Sequence, residues 1–331
     1  MNDQPLLNID NLILWYKTYR GFSKVLDGVS MSVHRGEKVG LVGESGCGKT
    51  TTMKAVLRLL DDAAVIKEGS KIFFDNEDIL SMNENELLGL RRNKLSMISQ
   101  SPMAALNPVL TIGEQMMDVI KYSGLFDKRD KKSMYATAVK AIDDVMISDP
   151  ERIMKSYPHQ LSGGMRQRIC IATALAKPCD VLIADEPGTA LDVTVQEQIH
   201  KLLRSLVGTG DRSLIMITHS LGVVREMVDR IYVMYAGNIV ESCPTAELFS
   251  NPKHPYTAGL LESVPRLFGG GLSAGIYGYV PDYFEPPKGC RFASRCKHCT
   301  SRCLEEKPSM VEVGSDHHVT CFLYGSGVAG E

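Results

Sequence analysis

Nowhere in this chain of 331 residues do 18 apolar residues run together, so no segment is expected to cross a bilayer as a helix. Any membrane role must therefore come through a partner. The amino terminus, Met1-Asn2-Asp3-Gln4-Pro5, is polar and no apolar core follows it, so no secretory leader is expected. An excess of one charge sign is also missing. The formal net charge is −2, which excludes a global basic field of the kind that attracts nucleic acid. No internal repeat is visible. What is left, 44% hydrophobic and 23% charged, is an ordinary globular composition with enough chain for one large or two modest domains.

Cysteine is not scarce. There are nine, placed unevenly: Cys47, Cys170, Cys179 and Cys243 are scattered, whereas Cys290, Cys296, Cys299, Cys303 and Cys321 crowd one segment. With no export signal, such a cluster points to metal rather than to disulfides. The scattered four read as small buried hydrophobes, Cys170 in the apolar run 169–176 most clearly.

Alternation predicts strands over 8–14 and 25–33, and a short buried strand over 38–42. A helix is expected over 51–60, then more helices over 84–94, 112–121 and 134–146. This helix-rich middle interrupts a pattern that resumes with a strand at 181–184, a helix at 193–207 and a strand at 213–218. A short helix at 222–228 and a strand at 231–235 follow. Ser250-Asn251-Pro252-Lys253-His254-Pro255 marks a boundary. Beyond it come a short helix over 256–263, a glycine-rich stretch over 269–278 and the cysteine segment. That tail is too small for a large core and is expected to lean on a metal.

Between the strand at 38–42 and the helix after it lies Gly43-Glu44-Ser45-Gly46-Cys47-Gly48-Lys49-Thr50, a full G-x-x-x-x-G-K-[ST] match. Successive N–H groups of such a loop converge on a phosphate, Lys49 neutralises it and the Thr50 hydroxyl suits Mg²⁺. Cys47, beside Lys49 at a helix start, is expected to react readily with maleimide and to be protected by nucleotide. The strand at 181–184 ends in Asp185 and Glu186, placed to hold the magnesium shell and to polarise an attacking water. A second glycine-bearing helix start, Leu161-Ser162-Gly163-Gly164-Met165, offers another set of N–H groups and one hydroxyl. One chain thus carries two phosphate-binding devices.

These residues resemble the nucleotide-binding subunits of ATP-binding-cassette (ABC) transporters over about 6–325. Residues 161–165, continuing into Arg166-Gln167-Arg168, are similar to the family signature. Gln100, after the strand 95–99, is similar to the Q-loop glutamine, Ala190-Leu191-Asp192 to the D-loop and His219 to the switch histidine. Alone, Gln100 is a surface amide and His219 a capping residue; order and spacing carry the likeness. Tyr16 stands where the family stacks an aromatic on adenine, with Trp15 and Tyr19 close by.

The resemblance narrows to the oligopeptide and dipeptide importers. It does so through Ser101-Pro102-Met103-Ala104-Ala105-Leu106-Asn107-Pro108, His254-Pro255-Tyr256-Thr257 and Gly289-Cys290-Arg291-Phe292-Ala293. Ser101 and Gly188 depart from the usual Asp and Thr or Ser, and Gly188 is expected to loosen the turn after Glu186.

The resemblance implies an α/β fold: a P-loop NTPase of ABC type with an inserted helical subdomain and a small cysteine-rich C-terminal domain. The cassette is expected over 1–250, the helical subdomain over about 101–165 and the extension over 251–331. It implies ATP contacts at Tyr16, Gly43, Glu44, Ser45, Gly46, Cys47, Gly48, Lys49, Thr50, Thr51, Gln100 and Asp185. A partner's ATP would meet Ser162, Gly163, Gly164 and Asp192. Thr50, Gln100 and Asp185 would serve Mg²⁺, and Glu186 and His219 the chemistry. Implied partners are a second, homologous ATPase chain, two transmembrane permeases and an extracytoplasmic solute-binding protein, with no nucleic acid. The chain is then expected on the cytoplasmic face of the membrane, held there by the permeases. Peptides are the expected cargo, with nickel, opines and oligosaccharides as alternatives. A soluble ABC ATPase of DNA repair or translation lacks support, since neither a coiled-coil insertion nor a tandem cassette is present. A metal-sensing regulator would rest on the cysteines alone.

The cysteine spacing, C-x5-C-x2-C-x3-C-x17-C, is not a pair of zinc knuckles. A regular helix over 296–303 would hold Cys296 and Cys303 about 10 Å apart along its axis. Either the segment bends or Cys299 replaces one of them. The family resemblance implies a [4Fe–4S] cluster on Cys290, Cys296, Cys303 and Cys321, with Cys299 extra. Zn²⁺ is the alternative, for which His298, His317 and His318 are further candidates.

Overall fold

The computed structural model describes residues 4–189, 191–208, 212–263 and 275–324. The chain divides into two units, one of residues 1–34, 38–80 and 217–331, the other of 35–37 and 81–216. The stretch 269–274 of the glycine-rich segment and Ala190 of the D-loop lie outside the described residues.

In the first unit, strand β1 (Leu7–Thr18) buries Leu7, Ile9, Leu12 and Leu14. Strict alternation breaks after Ile9, where Asn11 adopts φ 50 and the pairing with β2 (Gly21–Val33) slips. Asn tolerates the left-handed region, so the bulge returns Leu12 to the core side. On its other edge β1 pairs with β4 (Ala64–Ile66) and β5 (Lys71–Phe74), and β6 (Glu77–Asp78) closes that antiparallel sheet. These three short strands carry too few residues for a period to register.

A second set of strands in this unit is built on β3 (Lys38–Val42), whose last four residues are buried. It lies parallel to β10 (Arg230–Tyr235), which pairs antiparallel with β11 (Asn238–Pro244). The tail joins the same ladder. Strand β13 (His317–Thr320) pairs with β11 at Glu241–Val319 and Ser242–His318, and β12 (Met310–Gly314) pairs with β13. Helix α1 (Lys49–Val56) follows the glycine loop, and α9 (Leu221–Met227) packs against β3. Helices α10 (Thr245–Ser250), α11 (Pro255–Glu262) and α12 (Ser301–Glu305) complete the unit.

In the second unit β7 (Leu95–Ile98) and β8 (Val181–Asp185) run parallel, with β9 (Ser213–Thr218) beside β8. All of β8 is buried, as expected of a central parallel strand. Helix α2 (Glu84–Asn93) opens on an Asn83–Glu86 capping box. Five α-helices separate β7 from β8: α3 (Pro102–Ala105), α4 (Ile112–Ser123), α5 (Lys131–Asp144), α6 (Pro150–Met154) and α7 (Gly163–Leu175). α4 is bounded by a Thr111–Glu114 capping box and by Gly124 at φ 75. α5 packs on α4, α6 and α7, and α8 (Val193–Gly208) on α7.

Candidate functional site

The glycine loop leaves β3 at Gly43, where a Cβ would run into the Met234 carbonyl oxygen. It enters α1 through Gly48 at φ 107, where a Cβ would meet Leu26 Cδ2 at 2.6 Å. Only glycine fits both places. Lys49 is buried, and its ammonium donates to the carbonyls of Gly43 at 2.8 Å and Glu44 at 3.0 Å. The loop is therefore wound around its own lysine. The Cys47 carbonyl accepts from Gly237 N–H at 2.8 Å, which ties the loop to the turn between β10 and β11.

The thiol of Cys47 is 1% exposed, and burial raises its pKa despite the opposing pull of Lys49. The expected ready reaction with maleimide is thereby overturned: desolvation outweighs the neighbouring charge. Near α1, the Tyr16 phenol is hydrogen-bonded to Thr51. Trp15 is engaged elsewhere, 4.1 Å from Lys67 Nζ and 5.8 Å from the Phe22 ring, and Tyr19 is 98% exposed. Of the three aromatics, Tyr16 is the one beside the loop's helix. His219, in this same unit, is exposed just after the buried Thr218.

In the second unit Asp185 ends β8 buried, and Glu186 follows at φ 45 with 8% exposure. A non-glycine residue in the left-handed region stores strain, and such strain clusters at functional sites. One carboxylate oxygen of Glu186 accepts from Gln100 Nε2 at 3.0 Å and from Thr189 Oγ1 at 2.9 Å. Gln100 and Glu186 are thus brought together. The turn at Gly188 is not loose: Gly188 N–H donates to Glu186 O at 2.7 Å, and Leu191 N–H to Gly188 O at 3.0 Å.

Ser162 caps α7 by accepting from Met165 N–H at 3.3 Å, and Ser162 and Gly163 are exposed. A Cβ on Gly163 would stand 3.1 Å from Leu191, and one on Gly164 2.8 Å from Val195. The signature glycines therefore let α7 approach the D-loop and α8, which sequence reading did not foresee. Asp192 accepts from Val195 N–H at 2.9 Å and opens α8.

Residues 296–300 are not helical, and the helix here begins only at Ser301, so the segment bends between Cys296 and Cys303. Cys290, Cys296, Cys303 and Cys321 line one cavity of about 230 Å³, with His254, Phe292 and His298 also on its wall. Cys299 is exposed and outside it. Burial, with the neighbouring thiols adding to it, pushes Cys290 up to about 11.

The histidines part ways. His317 is buried with its Nε2 2.7 Å from Glu241 Oε1, and that carboxylate also accepts from the N–H groups of Lys253 and His254. Glu241, Cys243 and His317 place one donor atom each within 4.8 Å of one another. Both carboxylate oxygens accept hydrogen bonds, so Glu241 brackets the entry of α11 against β11. A polar residue within β11 gave no sequence signal for this. His254, fully buried, is pushed down to about 3 by desolvation and accepts from Tyr256 N–H at its Nδ1.

Among the described residues no helix is long and apolar enough to cross a membrane. Residues 26–189 match the ABC transporter family, and 240–303 match the oligopeptide/dipeptide transporter C-terminal region. The chain is 42% identical to a dipeptide transport ATP-binding protein, DppD, of Bacillus subtilis, over 97% of this chain and 95% of that one. It is 44% identical to an oligopeptide transport ATP-binding protein, AppD, of the same organism, over 96% and 97%. A dimeric ATP-binding cassette, MJ0796, solved in a post-hydrolysis state with ADP and Pi, superimposes with TM-score 0.64 at 26% identity. That likeness covers 72% of this chain and 98% of that one. With a phosphate loop, an acidic strand end braced by a glutamine and a cysteine-bearing tail of peptide-importer type, the chain belongs to the ABC transporter ATP-binding proteins of the oligopeptide/dipeptide family.

Proposed function

We propose that the chain hydrolyses ATP to drive peptide import through partner permeases, as one of two ATPase subunits. The observation that carries this reading is the union in one chain of the phosphate loop wound on Lys49 with the importer-type tail. Residues 1–250 form the cassette, with a helical subdomain over about 101–165, and 251–331 form the extension.

ATP lies on residues 43–51 with Tyr16 against the adenine, Lys49 neutralises β/γ oxygens, and Thr50, Gln100 and Asp185 serve Mg²⁺. Glu186 polarises the attacking water, and its bonds to Gln100 and Thr189 support that role by fixing one carboxylate oxygen. His219 contacts the γ-phosphate. Ser162, Gly163 and Gly164 cover the ATP of the partner ATPase, a homologous and different chain, with Asp192 at the same dimer face. The exposure of Ser162 and Gly163 supports this. Closing the dimer completes each site, so hydrolysis waits for closure. Met103 and Val109, 59% and 74% exposed after Gln100, suit docking of a permease helix that converts nucleotide state into movement. With two permeases and an extracytoplasmic solute-binding protein, the complex holds this subunit at the cytoplasmic face of the membrane.

The four cysteines of the 230 Å³ cavity fit a group held by four thiolates, a [4Fe–4S] cluster with Zn²⁺ as the alternative. Such a group, when bound, supplies a positive centre that lets buried thiols ionise and cross-links residues 290–321. Cys303→Ser is expected to abolish a brown absorbance at roughly 400 nm and most of the bound iron, while Cys299→Ser keeps both. Metal analysis that finds zinc without iron would reassign the site. The function itself is tested by uptake. Cells lacking this chain should lose import of a radiolabelled dipeptide and regain it with the wild-type chain; uptake that persists without the chain contradicts the reading.

A further inference from the structure

Glu44 is an awkward residue for its place. It puts a carboxylate into the loop that is to receive the polyanionic phosphates of ATP, where like charges repel. The structure pairs it. Arg295 Nη1 lies 2.9 Å from Glu44 Oε2, with the Arg295 side chain only 5% exposed and that of Glu44 27%. The guanidinium is fixed on its other donors. Nη2 donates to Ile276 O at 3.0 Å, Nε to Tyr277 O at 3.3 Å, and Nη1 also reaches the Tyr235 hydroxyl at 3.4 Å. Its Cζ lies over the Tyr235 ring, 5.6 Å from the centroid.

Two phenols from the same C-terminal stretch hold the loop's backbone. The Tyr256 oxygen accepts from Glu44 N–H at 3.0 Å, and the Tyr283 hydroxyl donates to Gly46 O at 2.9 Å. Tyr283 is itself anchored, its carbonyl accepting from Lys24 N–H at 2.7 Å. Arg295 directly precedes Cys296, and its neighbour Arg291, next to Cys290, donates to the Ala236 carbonyl. The cysteine-bearing segment therefore reaches the phosphate loop through a charge and the tyrosines through two hydrogen bonds.

We propose that Arg295 is a positioning residue of the phosphate loop: it neutralises Glu44 and, with Tyr256 and Tyr283, couples the cysteine segment to nucleotide affinity. The proposal rests on the reading of residues 43–50 as the ATP loop. A guanidinium this well constrained removes the repulsion without touching the nucleotide itself. The coupling is reciprocal, because whatever stabilises the loop in its ATP-bound form stabilises the segment that grips it.

The test is a charge cycle on the full-length chain, read as ATP and ADP dissociation constants. Arg295→Gln is expected to weaken ATP binding about tenfold and ADP less, and Arg295→Lys to retain most of the affinity. Adding Glu44→Gln to Arg295→Gln is expected to restore ATP binding to within about threefold, because the unpaired charge is gone. Hydrogen exchange is expected to show ATP protecting residues 289–296 in the wild type and not in Arg295→Gln. Equal ATP affinity in the wild type and Arg295→Gln overturns the proposal, as does a loss that Glu44→Gln does not repair. Should Arg295→Gln not fold, Glu44→Gln alone decides: it leaves the Arg295 charge unopposed and is expected to tighten ATP binding severalfold, whereas unchanged or weaker binding contradicts a charge pair that bears on the phosphates. Failure of the wild-type chain itself to bind ATP would instead sink the reading of the loop.

Discussion

Glu186→Gln is expected to leave ATP binding intact, to slow hydrolysis about 10²- to 10³-fold and to trap a closed ATPase dimer. The amide keeps the shape of the carboxylate and can still accept from Thr189, which now holds one oxygen at 2.9 Å. What it loses is the charge that polarises water. The strained φ of 45 at Glu186 is a backbone property and survives the change, so a rate loss reports chemistry rather than unfolding. Size-exclusion chromatography with ATP in place of ADP checks the trap. Turnover at the wild-type rate would remove Glu186 from the role of base.

Lys49→Ala is expected to weaken ATP binding by about 10²- to 10³-fold, or about 3–4 kcal/mol. Two losses combine. The phosphate loses its buried cation, and the carbonyls of Gly43 and Glu44 lose the donor around which the loop is wound. Lys49→Arg should fail as well, because a planar fork does not reproduce the compact ammonium that the Gly43 and Glu44 carbonyls hold. Equilibrium binding of a fluorescent ATP analogue measures it. Affinity within threefold of wild type would show that the loop binds by its N–H groups alone.

Much of this site is legible in the sequence because it is local. Strand β3, the glycine loop and α1 are contiguous, and the loop's chemistry is written in eight consecutive residues. The run of five buried residues in β8 announces itself in the same way. What sequence reading missed depends on distant partners. Arg295 meets Glu44 across 251 positions, and Tyr283 meets Gly46 across 237. Nothing in the neighbourhood of either residue predicts the other.

One misjudgement has a physical cause: Cys47 looks activated by Lys49 and a helix start, yet at 1% exposure its desolvation wins. Strand β11 was illegible because Glu241 and Ser242, both polar, are buried within it, Glu241 satisfied by the N–H groups of Lys253 and His254. Strands β4 to β6 were missed for brevity, the longest having four residues.

The central claim, an ATPase whose work is peptide import, is tested most directly by reconstitution. The chain, its ATPase partner and the two permeases are placed in proteoliposomes with the solute-binding protein enclosed inside, either with or without peptide, and ATP hydrolysis outside is followed. Peptide-loaded binding protein is predicted to raise hydrolysis several-fold over the unloaded protein, and Glu186→Gln in this chain to abolish the rise. Hydrolysis at one rate with and without peptide would contradict the account.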